Sequence, residues 1–247
     1  MIVGIGLFLP LFPFSVVLDR LLAVLAHPLP RVVLILGWPH AGILLAAQLD
    51  GPPPAWLAWW SVTTGLVYGF RMLTMRDLNR WVSFLGTSQW TLLWVELIAG
   101  VDATTLHTHA LAFSLPLALA SLECTALDRR FGAAYSHVYG GLASVLPRLS
   151  AVFAVTVLAA VATPLWAGFL VLLHILLAAP STWAMATVLL SSLLWSWAGV
   201  RVLQGLLVGP VEDGEPVNDL SRSVTVAALF ALAALMAGGL LLTGDLA

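Results

Sequence analysis

The sequence predicts an all-α fold, namely a membrane bundle of about eight transmembrane helices. Of its 247 residues, 61% are hydrophobic and 9% are charged, and the mean hydropathy is +1.01, well outside the range of soluble domains. The apolar stretches are continuous, without the two-residue alternation of an outer-membrane strand. All 10 basic residues are arginines, and they lie in or flank alternate gaps between these stretches. These observations indicate a multi-pass helical protein with a fixed orientation.

The predicted spans follow from stretch length, because a spanning helix needs roughly 20 mostly apolar residues. Eight stretches qualify in chain order: Ile2 to Leu18, Arg31 to Leu49, Ala55 to Phe70, Trp81 to Gly100, Thr105 to Ala126, Ser150 to Leu177, Thr182 to Val208 and Ser223 to Thr243. The first stretch lacks the basic leader and small-residue cleavage pattern of a signal peptide. We therefore expect it to be a retained helix.

The arginines predict the orientation of the bundle, because basic loops are retained on the cytoplasmic side. They lie in or flank the first, third, fifth and seventh gaps, whereas the other gaps and both ends carry none. We therefore expect cytoplasmic arginine-bearing loops, both termini outside, and a bacterial-type inner (cytoplasmic) membrane location. Trp56, Trp59 and Trp60 beside the second gap fit an aromatic belt at the outer interface.

Two prolines predict broken helices. Pro39 lies near the middle of the second span and directly before His40, and Pro164 lies within the overlong sixth span. A proline inside a helix removes one backbone donor and frees a carbonyl one turn earlier. We therefore expect breaks near Pro39 and Pro164, which could line a polar site at bilayer depth.

The candidate chemistry lies inside the membrane, where an ionisable side chain tends to face a partner, a cavity or an ion path. The proton-path candidates are His40, His107, His109, His174, Glu96 and Glu123. His40 and His109 fit a relay role and a packing role equally well. The relay role is plausible because the usual histidine pKa suits proton transfer. His107 and His174 fit a structural role better, and the two glutamates fit solvated anchors near helix ends.

The sequence predicts no cofactor, no metal site and no nucleic-acid partner. It has no glycine-rich phosphate loop and no paired-cysteine motif,. His107 and His109 are two residues apart on one helix and point to different faces, so they do not form a ligand pair. A membrane-embedded enzyme is therefore the least favoured class, and we do not expect catalysis by this chain alone.

Several motifs carry a family resemblance. The run LPLFPFS at Leu9 to Ser15, followed by AHPLPRVVLILGWPHAG, resembles the seventh and eighth helices of antiporter-like proton-conducting membrane subunits. That family includes subunits of respiratory NADH:quinone oxidoreductase, Mrp antiporters and two-component inorganic-carbon transporters. Later motifs follow in the family's order: Arg76-Asp77-Leu78-Asn79-Arg80 with Thr87-Ser88-Gln89, His109-Ala110-Leu111, Gly140-Gly141-Leu142 with Pro147, and Pro164 with Gly168-Phe169.

The resemblance implies that the chain corresponds to the second half of a subunit with about fourteen helices, which contains two inverted five-helix repeats. Residues 1–247 would then form a single transmembrane domain, with the first two helices in 1–53 and a five-helix repeat plus a final helix in 54–247. Such subunits are similar in conducting protons along a central row of charged and histidine residues.

The row is only partly kept here. His109 matches the family's histidine of helix eleven, and His40 replaces a lysine of helix eight. Phe8 and Leu172 stand at channel positions that the family fills with titratable residues, and Asn79 replaces a loop lysine. Because phenylalanine and leucine cannot take up a proton, the resemblance implies an interrupted path.

These observations favour a mainly structural or accessory membrane subunit of a larger proton-coupled complex, with at most a partial proton path. The alternative is an active proton or cation transporter completed by a sister subunit, including the membrane part of an inorganic-carbon uptake system. The expected partners are other membrane subunits, such as a full-length antiporter-like subunit, or a peripheral cytoplasmic subunit, within a lipid bilayer.

Overall fold

The computed structural model describes residues 1–25, 27–136, 141–209 and 218–242. Within these ranges the regular elements are helices, together with one isolated β-bridge between Asp77 and Tyr135. The helices are α1 (Ile2–Phe8), α2 (Ser15–Val24), α3 (Pro28–Ala46), α4 (Trp56–Met72), α5 (Leu78–Trp90), α6 (Leu93–Ala99), α7 (Ala103–Phe131), α8 (Leu142–Val145), α9 (Pro147–Ala160), α10 (Ala167–Ala178), α11 (Thr182–Leu207) and α12 (Arg222–Leu242). The all-α prediction is confirmed. Gly140 and Thr243, which belong to predicted motifs and spans, lie outside the described residues.

Among the described residues, four helices are long and apolar enough to cross a membrane by length and composition: α3, α7, α11 and the Arg222–Gly239 part of α12. The remaining predicted spans coincide with shorter helices. The first, fourth and sixth are each divided into two helices, and the third is the 17-residue α4. The chain is thus a multi-pass membrane protein.

The predicted interruption near Pro164 is present. Helix α9 ends at Ala160 and α10 begins at Ala167. Between them, Ala162 has φ 55° and Leu165 has φ 99°, a region that L-residues rarely adopt. Helix ends leave backbone carbonyls without partners, and one of these, the carbonyl oxygen of Ala160, accepts a bond of 2.6 Å from Nε2 of Gln89.

The expected break at Pro39 is wrong. Helix α3 runs without interruption from Pro28 to Ala46, with Pro39 buried inside it. A proline removes only one helical hydrogen bond, and packing against neighbours can hold the remaining turns in place. Here α3 packs against α1 and α7, and Nε1 of Trp38 donates to the carbonyl oxygen of Leu7 at 3.1 Å.

Two breaks were not predicted. The first predicted span divides at residues 9–14, which include Pro10 and Pro13. The carbonyl oxygen of Leu9 accepts a bond of 3.0 Å from Nε1 of Trp94, and that of Phe12 accepts one of 2.8 Å from Nε1 of Trp60. The fourth predicted span divides between α5 and α6. Tryptophan N–H groups on α4 and α6 therefore satisfy two backbone carbonyls in the first of these breaks.

Helix α7 lies at the centre of the bundle and contacts α3, α5, α6, α9 and α10. Most of the residues in its apolar window are buried. Helix α4 packs against α5 and α11, and α12 lies on the outside against α9 and α10. His109 and Glu123 on α7 are therefore held within the protein, and His107 is partly buried.

Candidate functional site

His40 on α3 and His107 on α7 form a direct pair. Their Nδ1 atoms lie 2.6 Å apart, and the rings stack with centroids separated by 4.9 Å. Both side chains are partly buried. A neutral imidazole has one donor and one acceptor nitrogen, so this contact needs a proton on one of the two Nδ1 atoms. His107, which was expected to be structural, is thus the immediate partner of His40.

A second group lies on the other side of α7. Nδ1 of His109 and Oε2 of Glu96 are 2.9 Å apart, and both side chains are only 1% exposed. The expectation that Glu96 is a solvated anchor is wrong. The break after Trp90 starts a new helix, α6, which packs against α7 and α10. The carboxylate therefore lies in the interior, where an unpaired charge would be strongly destabilising.

His174 on α10 completes this group. Its ring centroid lies 5.0 Å from that of His109. One donor atom from each of Glu96, His109 and His174 can be chosen so that all three lie within 4.8 Å of one another. We call this the Glu96–His109–His174 cluster. The sequence had no spacing signal for it, since its members come from three separate helices.

The histidine pair and the cluster are separated by the α7 backbone. His107 and His109 are two residues apart, which is about 3 Å along a helix axis and a rotation of about 200°. His107 accordingly meets α3, whereas His109 meets α6 and α10. The prediction that these histidines face different sides is confirmed.

Glu123 is also buried, against the expectation of a solvated anchor. Its side chain is 4% exposed, and Oγ1 of Thr156 donates to Oε1 at 2.7 Å. Helix α7 continues past it to Phe131, so the carboxylate does not reach a helix end. Glu123 lies 14 residues after His109, a rise of about 21 Å along α7. It is therefore remote from the cluster.

At three positions the resemblance implies that a titratable residue of the family has been replaced. In the structure two of these residues pack in apolar surroundings and the third forms hydrogen bonds. The ring of Phe8 packs against Trp38, with centroids 4.8 Å apart, and Leu172 is buried in the core. Asn79 instead joins a polar bridge, because Oδ1 accepts from Nη1 of Arg31 at 2.7 Å and Nδ2 donates to Asp128 at 3.1 Å.

Sequence reasoning missed two polar groups. Arg31 was interpreted only as an orientation signal, yet it is 9% exposed and links α3 to α5. Asp19 accepts hydrogen bonds from Ser83 and from the hydroxyl of Tyr68, at 3.4 Å for the latter. The available signal was an ionisable residue at the edge of an apolar stretch, which can face inward as readily as outward.

Comparisons with known proteins identify the fold. No protein-family model and no curated protein matches the sequence. The fold is similar to a chain of respiratory complex I from Thermus thermophilus with bound NADH, at 21% identity, TM-score 0.76, and coverage of 95% of this chain and 52% of that chain. A chain of the membrane-bound sulfane sulfur reductase (MBS), an archaeal respiratory membrane complex, matches at 18% identity, TM-score 0.80 and coverage of 98% and 52%.

A chain of the Mrp complex from Dietzia sp. DQ12-45-1b matches at 15% identity, TM-score 0.80 and coverage of 98% of this chain and 55% of that chain. This chain thus spans about half the length of each of these three chains. The resemblance to antiporter-like membrane subunits predicted from the motifs is confirmed at the level of the fold.

Proposed function

We propose that the chain is a membrane subunit of a larger proton-coupled complex, with a mainly structural or accessory role and at most a partial proton path. The observation that carries this proposal is that the titratable side chains lie in separate groups. They do so within a fold that matches about half the length of each of three longer chains from membrane complexes.

The separation between groups argues against a complete path. Direct proton transfer needs donor and acceptor within hydrogen-bond reach, or joined through one water. Within the His40–His107 pair and within the Glu96–His109 pair this condition is met. From His109 to Glu123 the rise along α7 is about 21 Å. The described residues therefore supply short proton-sharing units, and Glu123 lies outside both of them.

The arrangement in the membrane belongs to the same proposal. Eight crossings would consist of the four long helices, α4, and the three pairs α1–α2, α5–α6 and α9–α10. Both termini would be outside, and the arginine-bearing loops would face the cytoplasm of a bacterial-type cell. The positive-inside distribution of the arginines supports this arrangement,.

The orientation is tested by cysteine labelling. The sequence has one cysteine, Cys124, which is buried, so background labelling should be low. We expect a membrane-impermeant maleimide to label Ala103→Cys in intact cells and to leave Arg76→Cys unlabelled until the cells are opened. Both native side chains are exposed in the monomer. The reverse pattern would contradict the orientation.

The accessory role is tested by purification and reconstitution. In mild detergent the chain should co-purify with at least one other membrane subunit. When the chain alone is placed in vesicles with a pH-sensitive dye inside, an imposed pH difference should decay at the rate of protein-free vesicles. A fast decay that His109→Gln abolishes would contradict the accessory role.

The second candidate is an active proton or cation transporter that a sister subunit completes, including the membrane part of an inorganic-carbon uptake system. The fully buried Glu96–His109 pair favours it, because ionisable groups at bilayer depth commonly mark ion paths. Under this alternative, vesicles that contain the chain and its co-purified partner should conduct protons, and His109→Gln should abolish the flux.

A further inference from the structure

We propose that the Glu96–His109–His174 cluster binds a divalent transition-metal ion, with Zn²⁺ the best match. The cluster offers two imidazoles and one carboxylate from α6, α7 and α10, with donor atoms within 4.8 Å of one another. The inference goes beyond the proposed function, since the site would bind metal whether or not the chain conducts protons.

The donor set selects the metal. Zn²⁺ commonly takes two histidines and one glutamate as protein ligands and leaves a fourth position for water. Ca²⁺ and Mg²⁺ prefer an all-oxygen environment, so two imidazole donors disfavour them. With metal–ligand distances of about 2.1 Å, tetrahedral donors lie about 3.4 Å apart. The 2.9 Å between Nδ1 of His109 and Oε2 of Glu96 would therefore open by about 0.5 Å, and a spacing at the 4.8 Å limit would close by about 1.4 Å,.

The Glu96–His109 contact supplies a place for the ion. The 2.9 Å between Nδ1 and Oε2 is bridged by a single proton, which the metal would replace. Oε1 of Glu96 is buried and has no hydrogen-bond partner among the described residues. A buried carboxylate oxygen without a partner carries a desolvation penalty. Coordination through both oxygens of Glu96 would remove that penalty.

His174 is the most exposed ligand of the cluster. Glu96 and His109 are fully buried, whereas His174 on α10 is partly exposed. Because the bound ion would take the position of the shared proton, Zn²⁺ would also inhibit any proton transfer that uses His109.

The test is Zn²⁺ binding to the purified chain after chelator treatment, measured by competition with a zinc-sensitive dye at pH 7.5. We expect one ion per chain, with at least a tenfold loss of affinity in each of Glu96→Gln, His109→Gln and His174→Gln. His107→Gln is the matched control, since it lies on the same helix but outside the cluster. We expect it to bind like the unaltered chain.

Folding of each variant is monitored by gel filtration and circular dichroism. His174→Gln should disturb folding least, because the side chain of His174 is only partly buried. Three results would each overturn the proposal. The unaltered chain could fail to bind Zn²⁺, or His174→Gln could bind it as tightly as the unaltered chain. In the third, His107→Gln would lose binding while the cluster variants retain it. None of these results bears on the reconstituted proton flux of the metal-free chain.

Discussion

The close approach of α1 and α3 depends on the absence of a side chain at Gly42. A Cβ atom at this position would lie 2.9 Å from Cγ of Leu9, 3.0 Å from the backbone nitrogen of Leu9 and 3.0 Å from Cβ of Phe8. The backbone nitrogen of Leu9 and the Cβ atom of Phe8 are fixed by the backbone, so a rotamer change cannot move them aside. The substitution Gly42→Ala should therefore push the two helices apart.

The magnitude follows from the overpacking of a well-packed interior, which destabilises by about 1–3 kcal/mol. In the opposite direction, alanine is favoured over glycine in a helix by about 1 kcal/mol. The matched control is Gly37→Ala on the same helix, whose added Cβ would meet no other atom within 4 Å and receives only the second effect. We thus expect Gly42→Ala to be less stable than Gly37→Ala by about 1–3 kcal/mol.

The assay is reversible unfolding of the purified chain by SDS in mixed micelles, followed by circular dichroism. Equal unfolding free energies for the Gly42→Ala and Gly37→Ala variants would refute the packing argument.

Three further substitutions test polar contacts. Gln89→Leu should lower the unfolding free energy by about 1–3 kcal/mol, because the buried carbonyl oxygen of Ala160 loses its donor,. Arg31→Leu should destabilise by a similar amount, about 1–3 kcal/mol, because Asn79 loses its charged donor,. Asp219→Asn should lower the thermal midpoint above about pH 5 and lose that effect as the pH falls. Burial raises the pKa of Asp219, but hydrogen bonds from three backbone N–H groups outweigh it, and the pKa lies below its usual 3.8. Its contribution is therefore present above the unfolded pKa and lost as the pH falls through the folded one.

The matched controls carry the same chemical change at exposed sites. They are Gln204→Leu, Arg76→Leu and Asp50→Asn. Each should change the unfolding free energy or midpoint by much less than its partner variant, as is usual for surface positions. A control that is as destabilised as its partner would show that the loss of polarity, rather than the specific contact, is responsible.

Proline positions show where local reasoning succeeds and where it stops. Pro164 and the residues beside it do interrupt the sixth predicted span. Pro39 does not interrupt α3, because contacts with α1 and α7 hold the helix across the missing bond. The same local rule therefore gives opposite outcomes, and only the neighbouring helices distinguish them.

The candidate site shows a similar division. The sequence identified every member of the His40–His107 pair and of the Glu96–His109–His174 cluster, since ionisable residues are rare within apolar stretches and are visible one by one, but it missed the roles of Arg31 and Asp19,. Their pairing was not predictable. Glu96, His109 and His174 lie on three helices, and no periodicity relates residues on different helices. Glu96 was misplaced because its apolar surroundings give no sign that α5 ends and α6 turns toward α7.

Composition and apolar stretch length by themselves determined that this chain is a helical membrane protein, because a bilayer accepts only backbones that satisfy their own hydrogen bonds. The motif order also indicated the fold. The tertiary structure alone decided which helices break, which carboxylates are buried and which imidazoles touch. Those properties depend on helix-to-helix packing, in which residues distant along the chain contribute donor, acceptor and volume to one another.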